Sequence, residues 1–227
     1  MFRDDAAFAA SFVKAADGRL DHVAAFSQGA VIAYDLASRR VSPGMTLVIL
    51  DGALPGAREV PPGDAAIDVA GGRLTYPTRR ALMDAVIADP DGPSPLAGFP
   101  SAGEALRKVL YAAQSFGGRG GLANTYDDVS DLRVLATLLR SYDRWWPRAA
   151  LDGRAPSAPS SGVPVLAFAS GRLGPAWTER VRTSADAFAK GKATFVELPA
   201  YGHLDVLVAR EAAHDVFLPV FEWIRAR

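Results

Sequence analysis

Asp21-His22-Val23-Ala24-Ala25-Phe26-Ser27-Gln28-Gly29-Ala30 runs directly into Val31-Ile32-Ala33-Tyr34-Asp35-Leu36-Ala37-Ser38. An apolar, strand-like segment leads into Ser27, and a helix-like segment leads away from it. The five central residues, Ala25-Phe26-Ser27-Gln28-Gly29, follow a G-x-S-x-G pattern with alanine, the smallest alternative, at the first glycine. Small residues two before and two after the serine suit a place where strand and helix backbones approach closely. Strand, sharp turn, helix is the context of a nucleophile elbow, where strain at the turn exposes a serine Oγ above a sheet. A strand-to-helix turn that merely contains a serine fits the same five residues. The rest of the chain must decide between the two.

Composition narrows the field. The 227 residues suffice for one large domain or one domain with an insertion. Hydrophobic residues make up 49%, enough for a sizeable core. Twenty-five basic residues balance 25 acidic ones, so no basic face for nucleic acid is implied. The absence of cysteine excludes disulfides, zinc-thiolate sites and cysteine nucleophiles. No apolar run is long enough for a membrane-spanning helix. Met1-Phe2-Arg3-Asp4-Asp5 lacks a signal-peptide core, which leaves the cytoplasm as the default compartment.

The pattern of elements predicts an α/β fold: a mostly parallel sheet flanked by helices, with a helical lid inserted into it. Residues 1–51 read helix (6–16), strand (20–26), helix (30–39), strand (46–51). Leu47-Val48-Ile49-Leu50 is apolar at every position, as in strands of parallel sheets covered on both faces. Residues 52–162 differ in texture. A Gly/Pro-rich opening is followed by helical segments at 78–88, 101–116 and 130–146, with no convincing strand. Ser101-Ala102-Gly103-Glu104 reads as a capping box. In the last segment Leu132, Leu135, Leu138, Leu139, Tyr142 and Trp146 recur at helical spacing. Residues 163–227 return to alternation: strand (163–169), helix (177–190), strand (193–198), and an amphipathic helix (211–227) with Val216, Val220, Phe221 and Ile224 on one face. The expected core is therefore 1–51 plus 163–227, and the expected lid is 52–162.

Three histidines are available, and their places differ. His22 falls inside the strand before Ser27, where it is expected to point into a helix-covered layer. His214 falls on the wetter side of the last helix. His203 follows the last strand, within Tyr201-Gly202-His203-Leu204-Asp205. In open α/β sheets, catalytic groups gather at the carboxyl ends of the strands. A serine hydroxyl is a weak nucleophile at neutral pH and needs an imidazole within reach. His203 is the histidine positioned to supply it.

With the elbow at Ser27, the buried strand 46–51, the strand 163–169 and the Gly202-His203-Leu204-Asp205 run, the chain resembles an α/β-hydrolase of lipase or esterase type from about residue 6 onward. The order serine before histidine matches that superfamily. The resemblance implies a serine hydrolase acting through an acyl-enzyme on an ester or related acyl bond. Ser27 would be nucleophile, His203 base and acid, and the Gln28 amide one oxyanion-hole donor. The substrate would be a small acyl compound; no metal or organic cofactor is implied. The same residues would serve an acyltransferase or thioesterase, and a non-catalytic binding protein on a degenerate scaffold is the alternative from another class.

Two departures from the superfamily pattern stand out. An acid is usual after the strand ending near Ala169, but Ser170-Gly171-Arg172-Leu173-Gly174-Pro175 holds no carboxylate. Glu179 and Asp186 fall further on, within the next helix. Asp51, at the preceding strand end, is the favoured acid; Asp205 is the runner-up, better suited to bracing its loop. A capping aspartate before Gly52 is the structural alternative for Asp51. The second departure is the shortness of the chain before the elbow, about twenty residues where about four strands are usual. The loop carrying the second oxyanion amide lies in that region, and losing one such donor costs about 10² to 10³ in rate. The elbow strand would then be a sheet edge open to self-association. An incomplete N-terminus, an edge paired with another chain and a reduced relative each account for this, and the first is preferred.

Overall fold

A computed structural model describes residues 7, 9–11, 21–56, 67–69, 72–74, 76–112, 132–140, 152–159, 162–209 and 211–227. The described residues divide into two compact units: Met1–Glu59, Trp146–Ala200 and Ala213–Arg227 form one, and Val60–Trp145 with Tyr201–Ala212 form the other.

The first unit is built on four parallel strands: β1 (His22–Phe26), β2 (Thr46–Leu50), β5 (Val165–Ser170) and β6 (Thr194–Leu198), in the spatial order β1-β2-β5-β6. Strand β1 aligns His22 with Thr46 and Phe26 with Leu50, and β2 aligns Leu47 with Val165. Every residue of β2 and β5 is buried, whereas the outer strands β1 and β6 are exposed or half-buried at every position except Leu198. That is the physical meaning of the all-apolar Leu47–Leu50 run: a strand flanked on both sides and covered on both faces has no polar position to spare. Parallel neighbours need crossovers. Helix α1 (Gly29–Ser38) joins β1 to β2, and α5 (Pro175–Ala189) joins β5 to β6. Residues 7 and 9–11 are helical, and the rest of the helix expected over 6–16 lies outside the described residues.

Tyr34 of α1 and Phe188 of α5 meet in the core with ring centroids 4.5 Å apart, among Leu47, Ile49, Val165 and Val181. The Tyr34 hydroxyl is fully buried and has no hydrogen-bond partner among the described residues. Burial pushes its phenol well above the ordinary value of 10.0, because the charged form would lose its hydration. The raised folded-state value means that this group's contribution is fully present below its unfolded pKa and is lost as pH rises beyond it. Tyr34→Phe removes an unsatisfied hydroxyl. Its melting temperature at neutral pH is expected to equal or exceed the wild type, by up to about 1 kcal/mol in stability. Above roughly pH 10 the wild type should lose stability relative to the variant. A variant clearly less stable at neutral pH would show that the hydroxyl is satisfied.

The second unit contains the short antiparallel hairpin β3 (Ile67–Val69) and β4 (Gly72–Leu74), then α2 (Tyr76–Ala88), α3 (Ala102–Ala112), α4 (Leu132–Arg140) and the one-turn α6 (Asp205–Val208). The hairpin corrects the strand-free reading of residues 52–162. Three-residue strands within a Gly/Pro-rich stretch are too short to show a period in sequence. Helix α2 packs against α3 and α4, burying Leu82, Met83, Val86, Leu106, Leu132 and Leu135. Ser101 caps α3 as its capping-box spacing predicts, its Oγ accepting the Glu104 N–H at 3.2 Å. Tyr142, Trp145 and Trp146 lie outside the described residues.

The C-terminal segment differs from one continuous helix. A single wide turn at Ala213–Phe217 precedes α7 (Leu218–Arg225). Val216 in that turn is buried while Phe221, expected on the same face, is 58% exposed; five residues on a helix carry the side chain roughly 140° around the axis. No described helix is long and apolar enough to cross a membrane.

Candidate active site

Ser27 follows β1 with φ +53°, a left-handed conformation that a non-glycine residue adopts only at a cost. Three backbone hydrogen bonds hold this turn. The Ser27 N–H extends the sheet ladder by donating to the Leu50 carbonyl at 3.0 Å. The Ser27 carbonyl accepts the Ala30 N–H at 3.0 Å, and the Gln28 carbonyl accepts the Val31 N–H at 3.2 Å, opening α1. Gln28 is the helix N-cap, so its amide lies at the positive end of the α1 dipole.

Asp51 repeats the device on the adjacent strand. Its N–H donates to the Phe168 carbonyl at 2.9 Å, and the chain then turns left-handed with φ +48°. The Phe26–Leu50 register makes Ser27 and Asp51 neighbours at the carboxyl ends of adjoining strands. Among the described residues, the other non-glycine positions with positive φ are Arg40 and Lys190. Arg40 falls just beyond α1 and Lys190 is the C-cap of α5, where a left-handed residue is ordinary helix-end geometry. Ser27 and Asp51 have no such reason, and unexplained backbone strain clusters at functional sites.

The Asp51 side chain is fully buried. Its Oδ1 accepts two donors: the Ser170 N–H at 2.7 Å and the Trp177 indole Nε1–H at 2.8 Å. The strand end that lacks a carboxylate, Ser170-Gly171, thus provides a backbone donor to the carboxylate next door. Trp177 was not singled out from the sequence. The available signal was its place in the first turn of a helix after Gly174-Pro175, on the same sheet edge.

The glycines around the elbow differ from the motif reading. A Cβ on Gly29 would meet the Ala25 Cβ at 3.8 Å, an ordinary contact. A Cβ on Gly52 would lie 2.5 Å from both the Ser27 carbonyl oxygen and the Ala30 Cβ. The close backbone approach at the elbow is therefore made by the residue after Asp51, outside the five-residue motif.

His203 belongs to the second unit, where it is 8% exposed in the turn before α6. Asp205, also buried, accepts the Gly202 N–H through Oδ2 at 2.7 Å, and its own N–H donates to the Gly202 carbonyl at 3.1 Å. It braces the loop that carries His203. His22 corrects its sequence reading: it is exposed on the outer strand, with Nδ1 2.8 Å from Thr46 Oγ1. His214 is 84% exposed on its side chain and pairs with Asp215 at 2.8 Å. Phe99 is half-buried in the second unit, and Trp145 is outside the described residues. Among the described residues, no three His, Asp or Glu side chains are grouped as metal ligands.

No family model matches the sequence, and no curated protein does either. Solved structures do match. An alpha/beta hydrolase fold protein from Nakamurella multipartita has a TM-score of 0.51 at 19% identity, over 97% of this chain and 74% of that one. The wild-type Vlm2 thioesterase domain gives 0.48 at 17% identity, covering 96% and 73%. MenH from S. aureus gives 0.47 at 14%, covering 97% and 74%. With four parallel strands, flanking helices and an elbow at the first strand end, this chain has a reduced α/β-hydrolase fold.

Proposed function

We propose that this protein is a serine hydrolase that cleaves a carboxylic ester or related acyl bond through an acyl-enzyme. The observation that carries the reading is the left-handed Ser27 at the end of β1, next to the equally left-handed, buried Asp51. Strain of this kind is retained where a side chain must be presented rather than packed.

In this mechanism Ser27 Oγ attacks the acyl carbonyl carbon while His203 Nε2 removes the hydroxyl proton. The carbonyl oxygen becomes an oxyanion stabilised by the Gln28 amide at the helix N-terminus. His203 returns the proton to the leaving alcohol as the carbon–oxygen bond breaks, leaving Ser27 acylated. Water, deprotonated by His203, then releases the acid and restores the serine. Asp51 Oδ2 holds the Nδ1–H tautomer and stabilises the imidazolium that forms at each stage. In this reading the helical segments of residues 52–162 are the lid.

The test is covalent labelling with a fluorophosphonate, which reacts with activated serines and needs no knowledge of the natural substrate. The wild-type protein is expected to be labelled on Ser27, and Ser27→Ala should not be labelled at all. Folded wild-type protein that resists the probe would make this a non-catalytic member of the fold.

A further inference from the structure

We infer that Trp177 is a positioning residue for the triad acid, acting through Asp51, and that the inward face of α5 exists to hold that acid in place. The inference rests on Asp51 serving as the acid proposed above. A fully buried carboxylate has lost its water and is stable only if N–H donors replace it. Here the Ser170 amide and the Trp177 indole both address Oδ1, at 2.7 and 2.8 Å, distances typical of charge-assisted hydrogen bonds. With Oδ1 held by two fixed donors, the carboxylate plane is set.

The rest of α5 supports this arrangement at helical spacing. Trp177, Arg180 and Ser184 fall three and four residues apart, so they share a face. All three bond to the segment that begins at Asp51. Arg180 donates twice to the Leu54 carbonyl, from Nε at 2.9 Å and from Nη2 at 2.7 Å. Ser184 Oγ accepts the Leu54 N–H at 3.0 Å. The Arg180 guanidinium also lies 5.7 Å from the Trp177 ring centroid, so one side chain steadies both the indole and the chain after Asp51. Packing alone does not require an indole N–H on a carboxylate or a forked guanidinium on one carbonyl.

The experiment replaces the Trp177 indole with benzothiophene by site-specific incorporation, which keeps the ring's size and removes its N–H. Trp177→Phe serves as a second variant, and circular dichroism verifies folding. The rate constant for fluorophosphonate labelling of Ser27 is measured against pH, with Asp51→Asn in parallel. Losing one donor to a charged oxygen should slow labelling about tenfold. The carboxylate, less drained of charge, should stabilise the imidazolium more, moving the acid limb upward by roughly half a pH unit. A folded benzothiophene variant with unchanged rate and limb overturns the inference. Slower labelling with an unmoved limb assigns the indole to packing and overturns it equally. If Asp51→Asn labels like the wild type, the acid assignment itself fails, which is a separate result from failure at Trp177.

Discussion

Asp51→Asn is expected to slow fluorophosphonate labelling of Ser27 by about 10³ to 10⁴-fold while leaving the protein folded. The amide is nearly isosteric, but it changes what the base sees. In the proposed mechanism the aspartate accepts the imidazole Nδ1–H, so Nε2 carries the lone pair that takes the serine proton. An asparagine can present its NH2 instead, which favours the opposite tautomer and places the proton where the lone pair is needed. The two donors on Oδ1, from Ser170 and Trp177, fix which oxygen keeps its place. They also predict the rotamer of the variant: its carbonyl oxygen takes the Oδ1 position, and its NH2 group takes the place of Oδ2. Labelling within about threefold of the wild type would remove Asp51 from the mechanism. Asp205, whose Oδ2 accepts the Gly202 N–H, is then the next carboxylate to replace and label in the same way.

Gly52→Ala is expected to cost about 3 kcal/mol in stability, or roughly 6 to 12 °C in melting temperature, and to slow labelling more than tenfold. The new methyl would sit 2.5 Å from the Ser27 carbonyl oxygen. That oxygen accepts the Ala30 N–H and opens α1, so it cannot retreat without moving Ser27. The second clash, with the Ala30 Cβ, blocks movement in the direction of the helix. Gly29→Ala is the control. It meets only an ordinary contact with Ala25, lies in a helix where alanine is favoured over glycine by about 1 kcal/mol, and should be neutral or stabilising. Equal tolerance at both positions in thermal melts would refute the close-approach reading.

These two predictions mark where sequence and tertiary structure part company. Local patterning sufficed for the strands at Ser27 and Asp51, because a run of four apolar residues ending at a turn has few other uses. It sufficed for α3, since Ser101 and Glu104 interact within one turn. It failed at β3 and β4, whose three residues carry no measurable period. It failed at Phe221, which lies five residues beyond Val216 and therefore well around the helix from it.

The sequence by itself determined the order of the four parallel strands and the placing of Ser27 between a strand and a helix. It also determined the buried character of β2. Each of these depends on residue type, spacing and hydrophobic period, all of which are local. Only the tertiary structure decided that Asp51 is itself left-handed, that Gly52 rather than Gly29 makes the close approach, and that Trp177 donates to the carboxylate. The last of these joins residues 126 positions apart. The rotation of a helix against a sheet, and the register between parallel strands, bring such groups together, and no short-range pattern records either one.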